Sequence, residues 1–220
     1  EGLVYYGEED GLSIPPQVVP LSGGLLIYPL GDVNGDGFDD LQQYHPTLGW
    51  HFYPGSAQGV SLESIEPPGF SGVDVGDING DGYGDLLGEG GFEQPITAEC
   101  EGVTYEIPNA GKLELFLGGP AGPTTTPSWL LEGQRENELL DQLRGPSRYY
   151  EHSPGDFDGD GYDDILVRSL RGEDTGLNSG CGTGDPDPFG PWDVPGTRIE
   201  VYAGGPSGVG TEPAAVLQVY

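Results

Sequence analysis

The chain is poor in the residues that most often carry catalysis. Its 220 residues include no methionine, only two cysteines and only three histidines. The cysteines have neither CxxC spacing nor a histidine cluster beside them, so they do not form a recognisable zinc motif. None of the three, His45, His51 and His152, has a serine or cysteine partner in a nucleophile motif. The sequence therefore predicts a protein that is not an enzyme.

Positive charge is also scarce. Seven lysines and arginines stand against 37 aspartates and glutamates, which gives a formal net charge of −30 at pH 7. A surface of this sign repels phosphate backbones and anionic lipid headgroups. Nucleic acid and anionic membranes are therefore excluded as expected partners. The excess of acid fits a solvated surface in a salty or extracellular setting.

The chain has no apolar segment that could form a spanning helix. The uncharged stretch from Gly11 to Gly31 is long enough, but Pro15, Pro16 and Pro20 lie inside it. Proline removes a helical hydrogen bond and clashes with the preceding turn, so no membrane span is predicted there. The chain opens with Glu1 rather than methionine, and we expect a processed or trimmed product.

Glycine and proline are abundant. They number 41 and 21, while hydrophobic residues make up 35% and aromatic residues 10% of the chain. The apolar residues fall in short alternating runs between glycine- and proline-rich turns. This pattern is typical of an all-β, turn-rich fold rather than of disorder.

Three acidic nonapeptides recur along the chain. They are DVNGDGFDD at 32–40, DINGDGYGD at 77–85 and DFDGDGYDD at 156–164. Each places side-chain oxygens at positions 1, 3, 5 and 9, glycines at 4 and 6, and an aromatic residue at 7. Ca²⁺ takes six to eight oxygens at about 2.3–2.6 Å, and the glycines let the backbone turn so that the carbonyl at position 7 also reaches the ion. Three loops with one spacing predict three calcium sites.

Short strands surround each acidic loop in the same order. Strand A precedes the loop, strand B follows it, an alternating strand C ends in a glycine-rich turn, and strand D comes last. Four strands in about 45 residues are typical of a propeller blade. The predicted strands are A at 25–30, 72–75 and 149–153; B at 41–44, 86–87 and 165–167; C at 50–55, 112–119 and 198–205; and D at 128–131 and 214–219.

The loop pattern Gly-Asp-x-Asn/Asp-Gly-Asp-Gly-aromatic-x-Asp-Leu/Ile, with the later Gly-Gly-Pro-x-Gly turn, resembles the FG-GAP repeats of integrin α-subunit propellers. It is most similar to their bacterial secreted versions, and the resemblance covers essentially the whole chain. It implies a seven-bladed propeller with calcium in the A–B loops, used for adhesion, carbohydrate binding or protein interaction. It also implies side-chain ligands at positions 1, 3, 5 and 9 and a backbone carbonyl ligand at position 7: Asp32, Asn34, Asp36, Phe38 and Asp40; Asp77, Asn79, Asp81, Tyr83 and Asp85; Asp156, Asp158, Asp160, Tyr162 and Asp164.

The chain departs from the family in its number of blades. Three loops allow three complete blades of four antiparallel strands, preceded by an N-terminal half blade made of strands C and D. Three and a half blades do not close a ring, so we expect a longer polypeptide, further copies of the chain or a partner protein to complete the propeller. The predicted units are the half blade at 1–20, blade 1 at 21–66, and blade 2 at 67–133 with a B–C insertion at 91–110. The last unit, 134–220, holds an inter-blade insertion and then blade 3, which has a B–C insertion at 169–196. A short helix is predicted within 132–145, between blades 2 and 3.

The two cysteines lie in the two B–C insertions. On adjacent propeller blades these insertions would hang from the same face, which makes a Cys100–Cys181 disulfide geometrically reasonable. Calcium modules of low affinity usually work outside cells, where disulfides persist, so a disulfide is favoured over two free thiols.

These features predict a calcium-stabilised, non-catalytic, extracellular or cell-surface module for adhesion or protein interaction. Calcium would stiffen the A–B turns. Two alternatives stay open. One is a lectin, with sugar-stacking side chains among Trp50, Trp192, Tyr149, Tyr150 and Phe189. The other is a repeating subunit of an extracellular assembly or filament, in which unpaired blade edges join neighbouring chains by β-augmentation.

Overall fold

The computed structural model is all-β. It describes residues 2–9, 11–12, 14–19, 26–45, 49–64, 72–90, 96–100, 103–107, 112–132, 139–142, 155–170 and 197–219, and none of these is helical. The strands, in chain order, are β1 (Gly2–Val4), β2 (Gly7–Glu8), β3 (Gly11–Leu12), β4 (Gln17–Val19), β5 (Leu26–Pro29), β6 (Leu41–His45), β7 (Gly49–Tyr53), β8 (Gly72–Gly76), β9 (Asp85–Gly90), β10 (Ile96–Cys100), β11 (Val103–Ile107), β12 (Lys112–Phe116), β13 (Trp129–Glu132), β14 (Leu139–Gln142), β15 (Ile165–Leu170), β16 (Thr197–Tyr202) and β17 (Ala215–Val219).

Three antiparallel sheets follow one another along the chain. Sheet 1 has the order β5-β6-β7, sheet 2 the order β8-β9-β12-β13, and sheet 3 the order β14-β15-β16-β17. In sheets 1 and 2, an acidic loop joins the first strand to the second. The third acidic loop leads directly into β15, the second strand of sheet 3. None of the described sheets closes on itself.

A smaller N-terminal unit precedes sheet 1. Strand β1 pairs antiparallel with β4, with Leu3 opposite Val18, and β2 pairs with β3 in the turn between them. The unit contacts the turn that follows β7, where the N–H of Val60 donates to the Tyr6 hydroxyl at 2.8 Å and the amide of Gln17 donates to the Val60 carbonyl at 2.8 Å. The two N-terminal strands therefore pair with each other, and their assignment as strands C and D of a half blade stays a prediction.

Apolar side chains from adjacent sheets form the core. In sheet 2, Val73, Leu87 and Leu115 lie side by side on β8, β9 and β12, because each is the cross-strand partner of the next. They belong to a buried cluster with residues of sheet 3, including Ile165 and Tyr202. A smaller cluster joins sheet 1 to sheet 2 through Leu30, Val33, Phe52 and Leu86. Burying a leucine or valine in this way contributes about 1.5–3 kcal/mol.

Two of the sequence predictions need correction. Residues 132–145 were expected to hold a short helix between blades, but Leu139–Gln142 form β14, the edge strand of sheet 3, with Leu139 opposite Leu170. Backbone pairing with β15 overrides the weak helical pattern of this segment. Strand A of this sheet was instead predicted at 149–153, which lies outside the described residues. Sheet 1 has three strands rather than four in the described part of the chain.

The insertions are only partly described. Within 91–110, β10 and β11 pair as a hairpin, and Cys100 is the last residue of β10. Residues 171–196 lie outside the described residues, and so do Cys181, Phe189 and Trp192. The Cys100–Cys181 disulfide therefore stays a prediction.

In the ranges given above, no helix has the length and apolar character needed to cross a membrane.

A pair of equivalent leucines tests whether the sheets support each other. Leu87 and Leu166 each stand two residues after the last aspartate of an acidic loop, but Leu87 is fully buried whereas Leu166 is only half-buried. We expect Leu87→Ala to lower the free energy of unfolding by about 2–5 kcal/mol, because it leaves a cavity between sheets 2 and 3. Leu166→Ala should cost clearly less. Urea unfolding of both variants is the measurement, and equal losses would contradict the packing described here.

Candidate metal centre

The three acidic loops have one shared hydrogen-bond frame. We name them loop 1 (32–40), loop 2 (77–85) and loop 3 (156–164). In loop 1, Oδ1 of Asp32 accepts the N–H of Asp36 at 2.9 Å, and its Oδ2 accepts the N–H of Gly37 at 2.7 Å. The corresponding distances are 3.0 and 2.8 Å in loop 2 and 3.1 and 2.9 Å in loop 3. The first aspartate therefore folds each loop around its own carboxylate.

The side chains at positions 3 and 5 turn toward the same point. Asn34 Oδ1 also accepts the N–H of Asp36, at 2.9 Å, and Asp36 Oδ1 accepts the N–H of Phe38 at 3.0 Å. Loops 2 and 3 repeat both bonds at 3.0–3.1 Å. The glycines at positions 4 and 6 have positive φ in all three loops, for example +70° at Gly35 and +88° at Gly37. Only glycine adopts this backbone without strain.

The aspartate at position 9 is buried in every loop, and both of its oxygens accept backbone hydrogen bonds. Asp85 Oδ2 accepts the N–H of Ile78 at 3.0 Å, and its Oδ1 accepts the N–H of Gly118 at 2.8 Å. The donors come from the start of the loop and from the turn after β12. The carboxylate therefore ties together segments that are far apart in sequence. The same two bonds are made by Asp40 to Val33 and Gly55, and by Asp164 to Phe157 and Gly204.

Burial changes the acidity of two of these carboxyl groups. Loss of hydration raises the pKa of Asp85 to about 7 and that of Asp40 to about 6, against the opposing effect of the backbone hydrogen bonds. The carboxylates of Asp77 and Asp81 add to the rise at Asp85. At neutral pH a divalent cation would favour the charged form of both groups.

Loop 3 brings three carboxylates close enough together that they could hold a metal ion. Ligand oxygens of Asp156, Asp158 and Asp164 all lie within 4.8 Å of one another. Oxygens that share one Ca²⁺ at about 2.3–2.6 Å are separated by no more than roughly this distance. Desolvation, and then the charge of Asp160, raise the pKa of Asp158. The pKa of Asp156 is lowered, chiefly by the hydrogen bond that it accepts from the N–H of Gly161.

Loops 1 and 2 differ from loop 3 at position 3. Asn34 and Asn79 replace an aspartate there, and their amide groups donate to Oδ2 of Asp36 at 3.1 Å and of Asp81 at 3.0 Å. At the proposed ligand positions 1, 3, 5 and 9, each of these two loops therefore carries three carboxylates, whereas loop 3 carries four. The carboxylate-rich loop 3 would hold a divalent cation with more charge.

Adjacent loops contact each other through the aromatic residue at position 7. A Cβ placed on Gly35 would lie 2.5 Å from Cε1 of Tyr83, and one placed on Gly80 would lie 2.5 Å from Cε1 of Tyr162. Each tyrosine ring thus lies against the glycine at position 4 of the preceding loop. Backbone bonds reinforce the contact, since the N–H of Gly84 donates to the Asp32 carbonyl at 2.7 Å.

Sequence reasoning missed Asp74, which lies on β8 rather than in a loop. Burial raises the pKa of Asp74, and the carboxylates of Asp39 and Asp163 add to the rise. These two acids stand at position 8 of loops 1 and 3, so the three charges approach one another only in the folded chain. No local sequence signal marks Asp74, because its acidic neighbours come from two other repeats.

Among the residues considered for other functions, Trp50 and His51 are those whose side chains the structure describes. The Trp50 ring packs against Tyr28 and Tyr44, with centroids 5.6 and 5.2 Å away, so packing accounts for its position. His51 Nδ1 lies 3.3 Å from the Ser64 hydroxyl. His45 lies in β6, and its side chain is not described. Tyr149, Tyr150, His152, Phe189 and Trp192 lie outside the described residues.

Comparison with known proteins adds no relative. No protein-family model matches the chain, and no curated protein matches it either.

The raised pKa of Asp85 predicts a pH dependence of stability in calcium-free protein. Its folded pKa of about 7 lies above the unfolded value near 3.8, so the protonated form is favoured by folding. Its contribution to stability is full below pH 4 and is lost as the pH rises through 7. We expect chelated protein to unfold at higher urea concentration at pH 5.5 than at pH 7.5. In Asp85→Asn this difference should shrink, and an unchanged difference would contradict the assignment.

The ring-on-glycine contact can be tested with two equivalent glycines. Gly80 and Gly159 have φ of +72° and +80°, but only Gly80 has a ring against it, and nothing lies within 4 Å of a Cβ on Gly159. Alanine at either position strains the backbone by about 1–2 kcal/mol. Gly80→Ala should cost about 1–3 kcal/mol more, because Tyr162 must move. Urea unfolding measures both variants, and equal losses would show that the contact contributes nothing.

Proposed function

We propose that the protein is a calcium-stabilised, non-catalytic repeat module of the propeller type that works in protein interaction or adhesion outside the cell. The observation that carries this proposal is the shared frame of the three loops, in which the same side-chain oxygens are aimed inward by the same backbone hydrogen bonds. The resemblance to FG-GAP repeats supports the same reading.

The donor set suits calcium. Carboxylate, amide and backbone carbonyl oxygens are the ligands that hard divalent cations take, and Ca²⁺ accepts the irregular geometry of a flexible loop better than Mg²⁺ does. Loop 3 offers the closest group of carboxylates, at Asp156, Asp158 and Asp164. Loops 1 and 2 would hold calcium with one asparagine each. Asp32, Asp36 and Asp40 would provide the carboxylates in loop 1, and Asp77, Asp81 and Asp85 those in loop 2.

Calcium would act on the fold rather than on a substrate. All proposed ligands of a site belong to one nine-residue loop, and the loops lie between strands of the same sheet. An ion there would neutralise part of the acidic charge and favour the ionised form of the buried Asp40 and Asp85. It would also fix Tyr83 and Tyr162, which contact the preceding loops.

The propeller assignment rests on how the sheets are joined. Sheets 2 and 3 have four strands, each an antiparallel neighbour of the next, and the apolar faces of adjacent sheets pack together. Loops 2 and 3 each contact the loop of the repeat before them, which supports an arrangement with one strand end of every repeat near a common axis. The pair β1–β4 would be the outer half of a further blade.

An extracellular location follows from the same chemistry. Calcium modules of low affinity have dissociation constants of about 10⁻⁴–10⁻³ M, which matches calcium levels outside cells. A net charge of −30 is also tolerated best where divalent cations are abundant.

Calcium binding can be tested loop by loop. Native mass spectrometry of the whole chain should show three bound Ca²⁺, and Asp36→Ala, which removes one carboxylate from loop 1, should reduce the number to two. Asp39→Ala is the matched control, because Asp39 lies in the same loop at position 8, outside the proposed ligand set. In calorimetry, each site should add about 1.4 kcal/mol at free calcium ten-fold above its Kd. A chain that binds no calcium, or equal loss in both variants, would overturn the proposal.

A further inference from the structure

Each sheet in the array presents two different faces. We call the face that packs on the preceding unit the leading face, and the opposite one the trailing face. At the end of the third strand of each sheet an aromatic side chain occupies the leading face: Tyr53 in sheet 1, Phe116 in sheet 2 and Tyr202 in sheet 3. All three are buried. Tyr202 meets Trp129 on the trailing face of sheet 2, with ring centroids 5.2 Å apart.

The N-terminal unit carries the same leading face, but there it is open. Tyr5 precedes Tyr6-Gly7-Glu8-Glu9-Asp10-Gly11 just as Tyr53 precedes Pro54-Gly55-Ser56-Ala57-Gln58-Gly59. Gly11 and Gly59, the last glycines of the two segments, both have positive φ, at +133° and +105°. Yet Tyr5 is 48% exposed, and its neighbours Leu3 and Val18 are exposed as well.

Sheet 3 leaves the matching trailing face open. Position 2 of the acidic loop is fully buried at Val33 and Ile78, where the next repeat covers it, but Phe157 is 56% exposed. Leu217 on β17 is 57% exposed, and it is the cross-strand partner of Ile199 on the same face. The trailing face is thus covered in sheets 1 and 2 and uncovered in sheet 3.

We propose that the leading face of the N-terminal unit of a second copy docks on the trailing face of sheet 3, so that the chain associates head to tail. The occupant is a second copy because the chain itself displays the complementary face, and the contact would continue the interface that sheets 1, 2 and 3 already make. This contact deepens the interaction role proposed above and rests on its repeat architecture, but it does not rest on calcium binding.

The internal interfaces specify the contacts that the docked copy makes. Tyr5 occupies the place of Tyr202, so it lies against Ala215 and Leu217, which occupy the places of Trp129 and Leu131. Glu8 occupies the place of Gly119 and Gly205, whose N–H groups donate to the carbonyls of Val33 and Ile78 at 3.0 and 2.9 Å. In the N-terminal unit Glu8 pairs with Gly11 in the β2–β3 hairpin, so the docked contact rests on side chains rather than on this N–H.

Gly7 supports this arrangement. Its equivalents Gly118 and Gly204 have no room for a side chain: a Cβ would lie 2.3 and 2.2 Å from the position-8 carbonyl of their own loop, and 2.8 and 2.7 Å from the position-2 carbonyl of the preceding loop. Gly7 has nothing within 4 Å. Docking on sheet 3 brings the carbonyl of Phe157 close to Gly7, just as the carbonyls of Val33 and Ile78 lie close to Gly118 and Gly204.

The two faces are different, so the association is heterologous. Such contacts build rings when the rotation closes and open filaments when it does not. The net charge of −30 per copy opposes association, so the self-affinity should rise with salt or calcium, which screen the repulsion.

Sedimentation velocity of the whole chain, over a range of concentrations with calcium and salt, tests the proposal. We expect the wild type to self-associate, and Tyr5→Asp and Leu217→Asp each to weaken the association at least about ten-fold. Val216→Asp is the matched control, because Val216 lies on the same strand with 46% exposure but points to the opposite face. It should leave the association within about two-fold of the wild type.

Mixing the two face variants gives the decisive result. Tyr5→Asp keeps an intact trailing face and Leu217→Asp an intact leading face, so the mixture should form dimers and nothing larger. A wild type that is monomeric at every concentration overturns the proposal, and so does equal weakening by Leu217→Asp and Val216→Asp. Calcium titration of the monomeric Leu217→Asp variant reports on the loops alone, so failure of docking and failure of calcium binding are distinguishable.

Discussion

The repeat depends on one buried carboxylate, the aspartate at position 9 of each acidic loop. In loop 2 the two oxygens of Asp85 accept the N–H groups of Ile78 and Gly118. Hydrogen bonds to the ionised form of this group contribute about 1.5–3 kcal/mol each, and the two donors belong to different segments. The acidic loop, β9 and the turn after β12 therefore cannot move independently. Gly118 must be glycine, because a Cβ there would overlap the carbonyl of Gly84.

The same carboxylates create an electrostatic problem that the described side chains do not solve. Burial raises the pKa values of Asp40 and Asp85, and further aspartates of the same loops raise them more. The ion pair of Lys112 with Glu114, at 2.6 Å, lies on β12 and not in a loop. A bound divalent cation would supply the missing positive charge where the loop oxygens converge. The proposed calcium is thus a counter-ion for a fold that buries acids.

Much of the fold could be predicted from the sequence because its signals are local and repeated. The loops, the B and C strands and the C–D turns each follow from residues that are close in the chain. Leu139–Gln142 could not be assigned, because only pairing with β15 makes that segment a strand. Asp74 could not be found either, because Asp39 and Asp163 reach it from different repeats. Local patterns define a repeat, whereas contacts between repeats need the folded chain.

The environment of a residue in this array is set by the next repeat rather than by its own. Val33, Ile78 and Phe157 occupy the same position of the same loop, yet two are fully buried and the third is more than half exposed. A phenylalanine side chain has more apolar area than valine or isoleucine, so exposing Phe157 costs more free energy than exposing Val33 or Ile78 would. Tyr5 at the other end of the array is exposed in the same way. Two large apolar side chains, each on a face that is covered elsewhere in the chain, are best explained by mutual burial between copies.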